Sequence, residues 1–433
     1  MKNNVYVKTI LFLILFQIDF FPQGSWEAIK SPTEQCLRTV HFVDSLYGWV
    51  AGDSGIVFHS SDGGINWVNQ DSKTNNNIYS LFFLNRELGW AAAWEVTNYP
   101  FGTELLRTTD GGENWIKPPQ PEADIFISCI LFNDSMNGWM GGRPHALLKT
   151  TDGGISWKQA DIDSSAFAHF PVHDIKFYDS KFGYASGGVF EYAGVMWRTT
   201  NGGDYWYAID PVSAPIDPIW QIHIYDSTNV IGVGGDFEFF GVGLIRTSDG
   251  GLNWTYEYIS MNGVAFDIDF RTDYEAWSTL GFERKFIYSL DSGLSWNSIE
   301  TADSSIIYDI TFPDSLHGFG VGRDGAILKY KFPIINSSGS IKDFVSPDYK
   351  LQQNYPNPFN PVTKIKYSIE EDGFIKLAVY NLLGQEVAII VNEHQNAGSY
   401  EFELNAEGFP SGIYIYILET FNFKASRKMM LLR

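Results

Sequence analysis

The chain has 433 residues, 16% of them aromatic, and a formal charge of −21 at neutral pH. That length holds one large domain plus a smaller one. The acidic balance weighs against nucleic acid as a partner, because a polyanion is held by a basic stripe that displaces counterions, and no such stripe occurs. The aromatic content suits strands, where flat rings pack well on a pleated surface.

The first residues read as an export signal. Lys2 and Lys8 precede an apolar run, Ile10 to Phe16, and Asp19 follows it. The run is too short for a bilayer-spanning helix, so residues 1–23 are expected to be a signal peptide and the mature chain to lack a transmembrane span. Gly24-Ser25-Trp26-Glu27 comes next and reads as an isolated strand.

From there a Trp-ended box recurs. Its first copy is Ser60-Ser61-Asp62-Gly63-Gly64-Ile65-Asn66-Trp67, and the others end at Trp115, Trp157, Trp206, Trp254 and Trp296, separated by 42 to 49 residues. A period in the forties with a glycine turn and one Trp per unit indicates a β-propeller. A second motif alternates with the boxes, an aromatic followed by Gly-Trp or a relative, as in Phe42…Gly48-Trp49 and Phe132…Gly138-Trp139. It occurs seven times, against six boxes. The missing Trp strand is the one around Trp26, which is expected to complete the last blade, at residues 307–330. The fold class is therefore all-β, a seven-bladed propeller spanning residues 24–332. In the first blade, strands are expected at Leu37–Phe42, Trp49–Ala51, Ile56–Ser60 and Trp67–Gln70.

The box residues Asp62, Asp110, Asp152, Asn201, Asp249 and Asp291 read as structural, since an Asx side chain accepts hydrogen bonds from its own turn. Asn201 lacks the charge and Ser292 replaces a glycine, which suits a turn better than a metal cage. Arg107, Lys149, Arg198 and Arg246 each stand three residues before a box Asx and read as a solvated strand feature. Cys36 and Cys129 fall at different register positions of non-adjacent repeats, so no disulfide is expected.

These repeats resemble the Asp-box propellers, and most of all the photosystem II stability/assembly factor-like propellers, through the pattern running from Gly138-Trp139 to Trp157. The resemblance implies the fold. Asp-box propellers also include sialidases and xyloglucan-type glycosidases, so it leaves function open.

Periodicity stops after Phe332. Residues 333–348 read as a linker, and residues 349–433 as a small β-sandwich with strands at roughly ten-residue spacing. Asn357-Pro358-Phe359-Asn360-Pro361, Tyr380-Asn381-Leu382-Leu383-Gly384-Gln385 and the Lys428-Met429 terminus resemble the type A C-terminal sorting domain of the bacterial type IX (Por) secretion system. The resemblance implies that the type IX translocon is a partner, that the chain passes through the periplasm, and that the propeller works outside the cell or on its outer-membrane surface.

Function is then sought in two sets of loops, those joining the second and third strands of a blade and those leading from its outer strand into the next innermost strand. They are rich in aromatics and carboxylates, which suits sugar stacking or peptide docking. The candidate ligand-binding residues are Arg38, Trp94, Tyr99, Arg143, His145, His173, Tyr192, Trp220, Phe239 and Tyr308. Arg38, Tyr79, Ser128, His173, Trp220, Phe266 and Tyr308 form one register ring at the central opening. The next ring is Thr39, Ser80, Cys129, Asp174, Gln221, Asp267 and Asp309. Asp174, Asp267 and Asp309 are candidate catalysts of glycoside cleavage, where one carboxylate raises the pKa of another. A sialidase would need three arginines on a carboxylate, and Arg38 is the one basic residue in these rings. No serine elbow, phosphate loop or metal-ligand spacing appears, so neither metal nor cofactor is expected. The reading is a secreted or surface-bound binding propeller for a glycan or a protein, with a secreted glycoside hydrolase as the alternative.

Overall fold

In a computed structural model of the protein the described residues are 24–119, 123–164, 168–209, 215–236, 241–331, 350–351, 353–369, 373–381, 386–395, 398–420 and 424–432. The expected signal segment and linker, and Phe239, lie outside them. The chain divides into two compact units, Met1–Pro333 and Ile334–Arg433.

The described residues of the first unit form seven sheets, antiparallel except that Asp161–Ile162 joins the fourth as a parallel outer strand beside Tyr205–Ala208. Their innermost strands are Leu37–Phe42, Asn77–Phe83, Phe126–Phe132, Val172–Phe177, Ile219–Ile224, Asp267–Phe270 and Ile307–Asp314. Each inner strand neighbours the next, and the seventh neighbours the first. The last sheet is completed by Ser25–Ala28, which pairs with Ile327–Lys331 in the register Trp26↔Tyr330. That strand joins the N-terminal end to the end of the propeller and pairs the edge of the seventh sheet.

The aromatic…Gly-Trp motif holds one sheet to the next. Phe83 stacks on Trp49 of the preceding sheet at 3.6 Å, Phe132 on Trp90 at 3.5 Å and Phe177 on Trp139 at 4.1 Å. Phe42 stacks on Phe319 at 3.8 Å, across the junction of the seventh and first sheets. The box Trp then meets the same Phe edge-on, as in Phe42–Trp67, Phe83–Trp115 and Phe132–Trp157. Trp26 takes that position in the seventh sheet, with its ring 5.5 Å from Phe312. Fully burying each large ring supplies a few kcal/mol, roughly 1.5–3 for a side chain the size of Phe.

Each box is a turn closed by its own polar atoms. Asp110 Oδ1 accepts from Thr108 Oγ1 and from the Asn114 amide, and Thr108 Oγ1 accepts from the Gly112 amide at 2.9 Å. Asn201 repeats this with Thr199 and Tyr205. The hydroxyl and amide donors of Ser156 hold the Asp152 carboxyl down to about 2.

The cations before the boxes correct the expectation of a solvated strand feature. Arg107 Nε donates to Gly153 O at 3.1 Å, Lys149 Nζ to Gly202 O at 2.8 Å and Arg198 Nη1 to Gly250 O at 2.8 Å. Arg246 reaches Gly293 O and Lys329 reaches Gly63 O. Each acceptor is a box carbonyl of the following sheet, so these side chains latch neighbours together. The first sheet uses Gln70 and Trp49 on Gly111 O instead. Between the sixth and seventh sheets a buried ion pair takes over. Arg271 and Glu275, both nearly fully buried, lie 2.5 Å apart. Arg271 donates to Ser315 O, and Glu275 Oε1 accepts from Trp277 Nε1 and Tyr330 OH.

In the second unit, Val362–Ile369 is the central strand of one sheet, and Gly373–Tyr380 with Gly412–Glu419 form the middle of another. Ile365, Tyr367, Leu377, Val379, Tyr416 and Leu418 fill one shared core. Asn357 and Phe359 bond the terminal strand Lys424–Leu431 along its outer edge. Cys36 and Cys129 are both free thiols.

A candidate binding site at the mouth of the propeller

The inner strands begin with a slip in pairing. In six of the seven, one residue is skipped in the ladder, and the skipped residues are Arg38, Tyr79, Ser128, His173, Trp220 and Tyr308. A bulge opposes two residues to one and so turns an extra side chain toward the opening. Glycine opposite the slip is required by space. A Cβ at Gly52 would lie 2.0 Å from Cys36 O, and one at Gly322 would lie 1.8 Å from Ile306 O. Gly142, Gly187 and Gly234 occupy the equivalent places. Glycine at that place in five of the six bulged sheets was therefore a sequence signal for the bulge, and the second sheet has Ala93 there instead.

Four of the six skipped residues enter two aromatic groups. In the first, Arg38 bonds Asp53 at 2.5 Å and lies 4.5 Å over the Tyr79 ring. Tyr79 stacks on Trp94 at 3.8 Å, and the Arg143 guanidinium lies 4.3 Å over the Trp94 ring. Four side chains from three sheets thus form a guanidinium–phenol–indole–guanidinium column. Trp94 does not stand on a loop as expected. It extends the strand Gly89–Glu95, is 8% exposed, and donates Nε1–H to Ile127 O at 2.6 Å. Arg143 is exposed and makes no ion pair among the described residues.

In the second group, His173 stacks on Trp220 at 4.2 Å, and Trp220 is flanked by Phe190 and Phe266. Burial lowers the His173 pKa to about 4, against its contact with Gly188 O and helped by the charge of Arg143. Tyr308 meets Phe282 edge-on. Tyr99 and Tyr192 stand apart from both groups, 82% and 69% exposed. His145 lies against His169, a residue not among the sequence candidates.

Beneath the mouth four polar side chains of the next ring bond one inner strand to the following one. Asp309 Oδ2 accepts from the Val40 amide at 2.8 Å, Asp174 Oδ2 from Ile222 at 3.1 Å and Asp267 Oδ2 from Ile310 at 2.6 Å. Ser80 makes the same bond to Ile130. Each acceptor belongs to one inner strand and each donor to the next. Burial and the Asp309 charge push the Asp267 carboxyl well up. Asp267 Oδ1 is buried and meets no hydrogen-bond partner among the described residues. Lys176, two residues beyond Asp174, is the cation these carboxyls face. Its pKa is raised by Asp174 and, after the cost of burial, by Asp269, Asp267 and Asp309. No group of three or more His, Cys, Asp or Glu among the described residues is arranged to hold a metal ion.

The profile of the photosynthesis system II assembly factor YCF48 family matches residues 20–121 and 103–255, together more than half of the chain. The chain belongs to the YCF48 family. Over 338 residues this YCF48-family chain is 24% identical to the photosystem II stability/assembly factor HCF136 of Arabidopsis thaliana, covering 71% of the chain and 79% of the relative. It is 26% identical over 151 residues to the Ycf48 assembly lipoprotein of a Synechococcus strain, covering 32% of the chain and 41% of that relative, well under two thirds of its length. A solved structure of YCF48 bound to D1 peptide superposes with a TM-score of 0.56 at 21% identity, covering 72% of this chain and 98% of that one. The GH74 enzyme of Niastella koreensis gives 0.56 at 12% identity, over 93% and 74%. Both show the fold alone. Residues 353–432 match a secretion system C-terminal sorting domain, which indicates export through the type IX system to the cell surface or the extracellular space. Among the described residues no helix is long and apolar enough to cross a membrane.

Proposed function

We propose that this YCF48-family propeller is an exported binding protein that holds an extended, carboxylate-bearing protein segment across its mouth. The column of Arg38, Tyr79, Trp94 and Arg143 carries the reading. An exposed guanidinium held flat on an indole keeps its N–H edge free to grip a carboxylate, while the rings offer a sequence-tolerant apolar surface. In a chain of charge −21 such a cation draws acidic groups to one place. The solved YCF48 relative with a bound peptide supports a peptide ligand. Residues 349–433 are the part that the type IX translocon reads, and after export the propeller is released or attached at the surface.

A glycan is the second reading, favoured by the two exposed tyrosines, Tyr99 and Tyr192. Glycoside cleavage is less well supported. Asp174, Asp267 and Asp309 each already accept a backbone amide of the adjoining strand, and we assign them to holding the ring.

The test is a soluble library of acidic, neutral and amidated peptides beside a glycan array, probed with the full chain and with Arg143→Ala. Selective capture of acidic peptides, weakened roughly tenfold or more by the substitution, is expected for a charge-assisted contact. Peptide binding indifferent to Arg143, or glycan retention alone, overturns it.

A further inference from the structure

His145 stands in the turn between Gly138–Arg143 and Ala146–Thr150, and His169 in the separate connection leading to Val172–Phe177. Their Nε2 and Nδ1 atoms lie 3.3 Å apart, with ring planes at 78°. The Gln159 side-chain amide is 3.5 Å from the same His145 nitrogen. Three side chains from three segments therefore converge on one point on the mouth side.

We propose that His145 and His169 form an open site for a zinc-class divalent transition-metal ion. Two imidazole nitrogens can face each other at this distance in two ways. Either one donates a proton to the other, or both present lone pairs to a shared ion. Zinc–nitrogen bonds of about 2.0–2.1 Å spanning this gap meet at roughly 107°, the angle of a tetrahedron. A square-planar ion would need the nitrogens closer, about 2.9 Å apart at the same bond length. The spacing thus selects a tetrahedral ion. Gln159 approaches through its donor nitrogen Nε2, so the two histidine nitrogens are the ligands and the remaining coordination positions face solvent. Such a site exchanges its ion and can take a carboxylate or imidazole from a bound partner, unlike a closed structural zinc site. It uses none of the four side chains of the arginine column, so ion titration reads it separately from peptide capture.

Isothermal titration of the untagged full-length chain with zinc chloride at pH 7.5 tests the site. One ion per chain is expected. Affinity should fall at least tenfold in His145→Ala and in His169→Ala, and not at all in His317→Ala. Cobalt(II) added to the wild type should give the intense visible bands of a tetrahedral ion, absent from either histidine variant. Zinc should also raise the thermal midpoint of the wild type and not of those variants. Absence of zinc binding, binding indifferent to both histidine substitutions, or an octahedral cobalt spectrum overturns the proposal.

Discussion

On the box face of the propeller, the carboxylates of Asp62, Asp110, Asp152, Asp249 and Asp291 are bound within their own turns. The cations Arg107, Lys149, Arg198, Arg246 and Lys329 are bound to the next sheet's carbonyls. On the mouth face the equivalent register positions hold Arg38, Tyr79, Ser128, His173, Trp220, Phe266 and Tyr308, seven side chains of six different types. Repetition marks chemistry that serves the scaffold, because every sheet has the same packing problem to solve. Variation at a fixed register marks positions that the scaffold leaves open.

The largest expected effect lies where the box face loses its repeat. Glu275→Ala leaves the Arg271 guanidinium, 2% exposed, without its partner, and also strips acceptors from Trp277 and Tyr330. Breaking a buried pair from one side costs about 3–5 kcal/mol. Urea unfolding should show a loss of that size. A loss below about 1 kcal/mol would mean that the closing strand around Trp26 holds the seventh sheet unaided.

Those repeats were legible because each sheet writes the same solution in the same order. The box turn, the aromatic…Gly-Trp pair and the displaced Trp26 strand all follow from spacing. Contacts between sheets were not legible. Arg198 reads as a solvated cation because its acceptor, Gly250 O, is 52 residues away. Trp94 reads as a loop residue because its sheet's second strand runs on to Glu95, which places the ring against Ile127. Lys176 sits at an ordinary alternating position, and its role comes from carboxylates on other strands. Tyr79 was visible as a ring residue, but its place between Arg38 and Trp94 depends on the bulges.

The channel below the mouth gives the next effect, in pH dependence. Burial raises Asp269 to about 6 and lowers His41 to about 4. A carboxyl raised on folding binds its proton more readily in the native state, so its contribution declines as pH rises from about 4 to 6. A histidine lowered on folding does the reverse, and stability is gained as pH rises from about 4 to 6.5. The two oppose each other. Asp269→Asn keeps an oxygen acceptor for the Phe312 amide and removes the declining part. Its stability should therefore climb more steeply between pH 4.5 and 6.5 than that of the wild type, read from denaturant midpoints at each pH. Parallel profiles would show that Asp269 titrates normally beside Lys176.

The smallest effects on stability separate the faces most cleanly, using one residue type on each. Arg198→Met keeps the apolar stem but abandons Gly250 O, which should cost about 1–2 kcal/mol for a charge-assisted bond at a half-buried site. Arg143→Met keeps a stem beside Trp94 and loses a guanidinium whose edge meets solvent, so stability should stay within about 0.5 kcal/mol. Ligand capture should respond in the opposite order, intact in the first variant and weakened in the second. If Arg143→Met destabilises the chain as much as Arg198→Met does, the mouth arginine is a latch like the others, and the contrast between the faces fails at the residue on which the binding site depends.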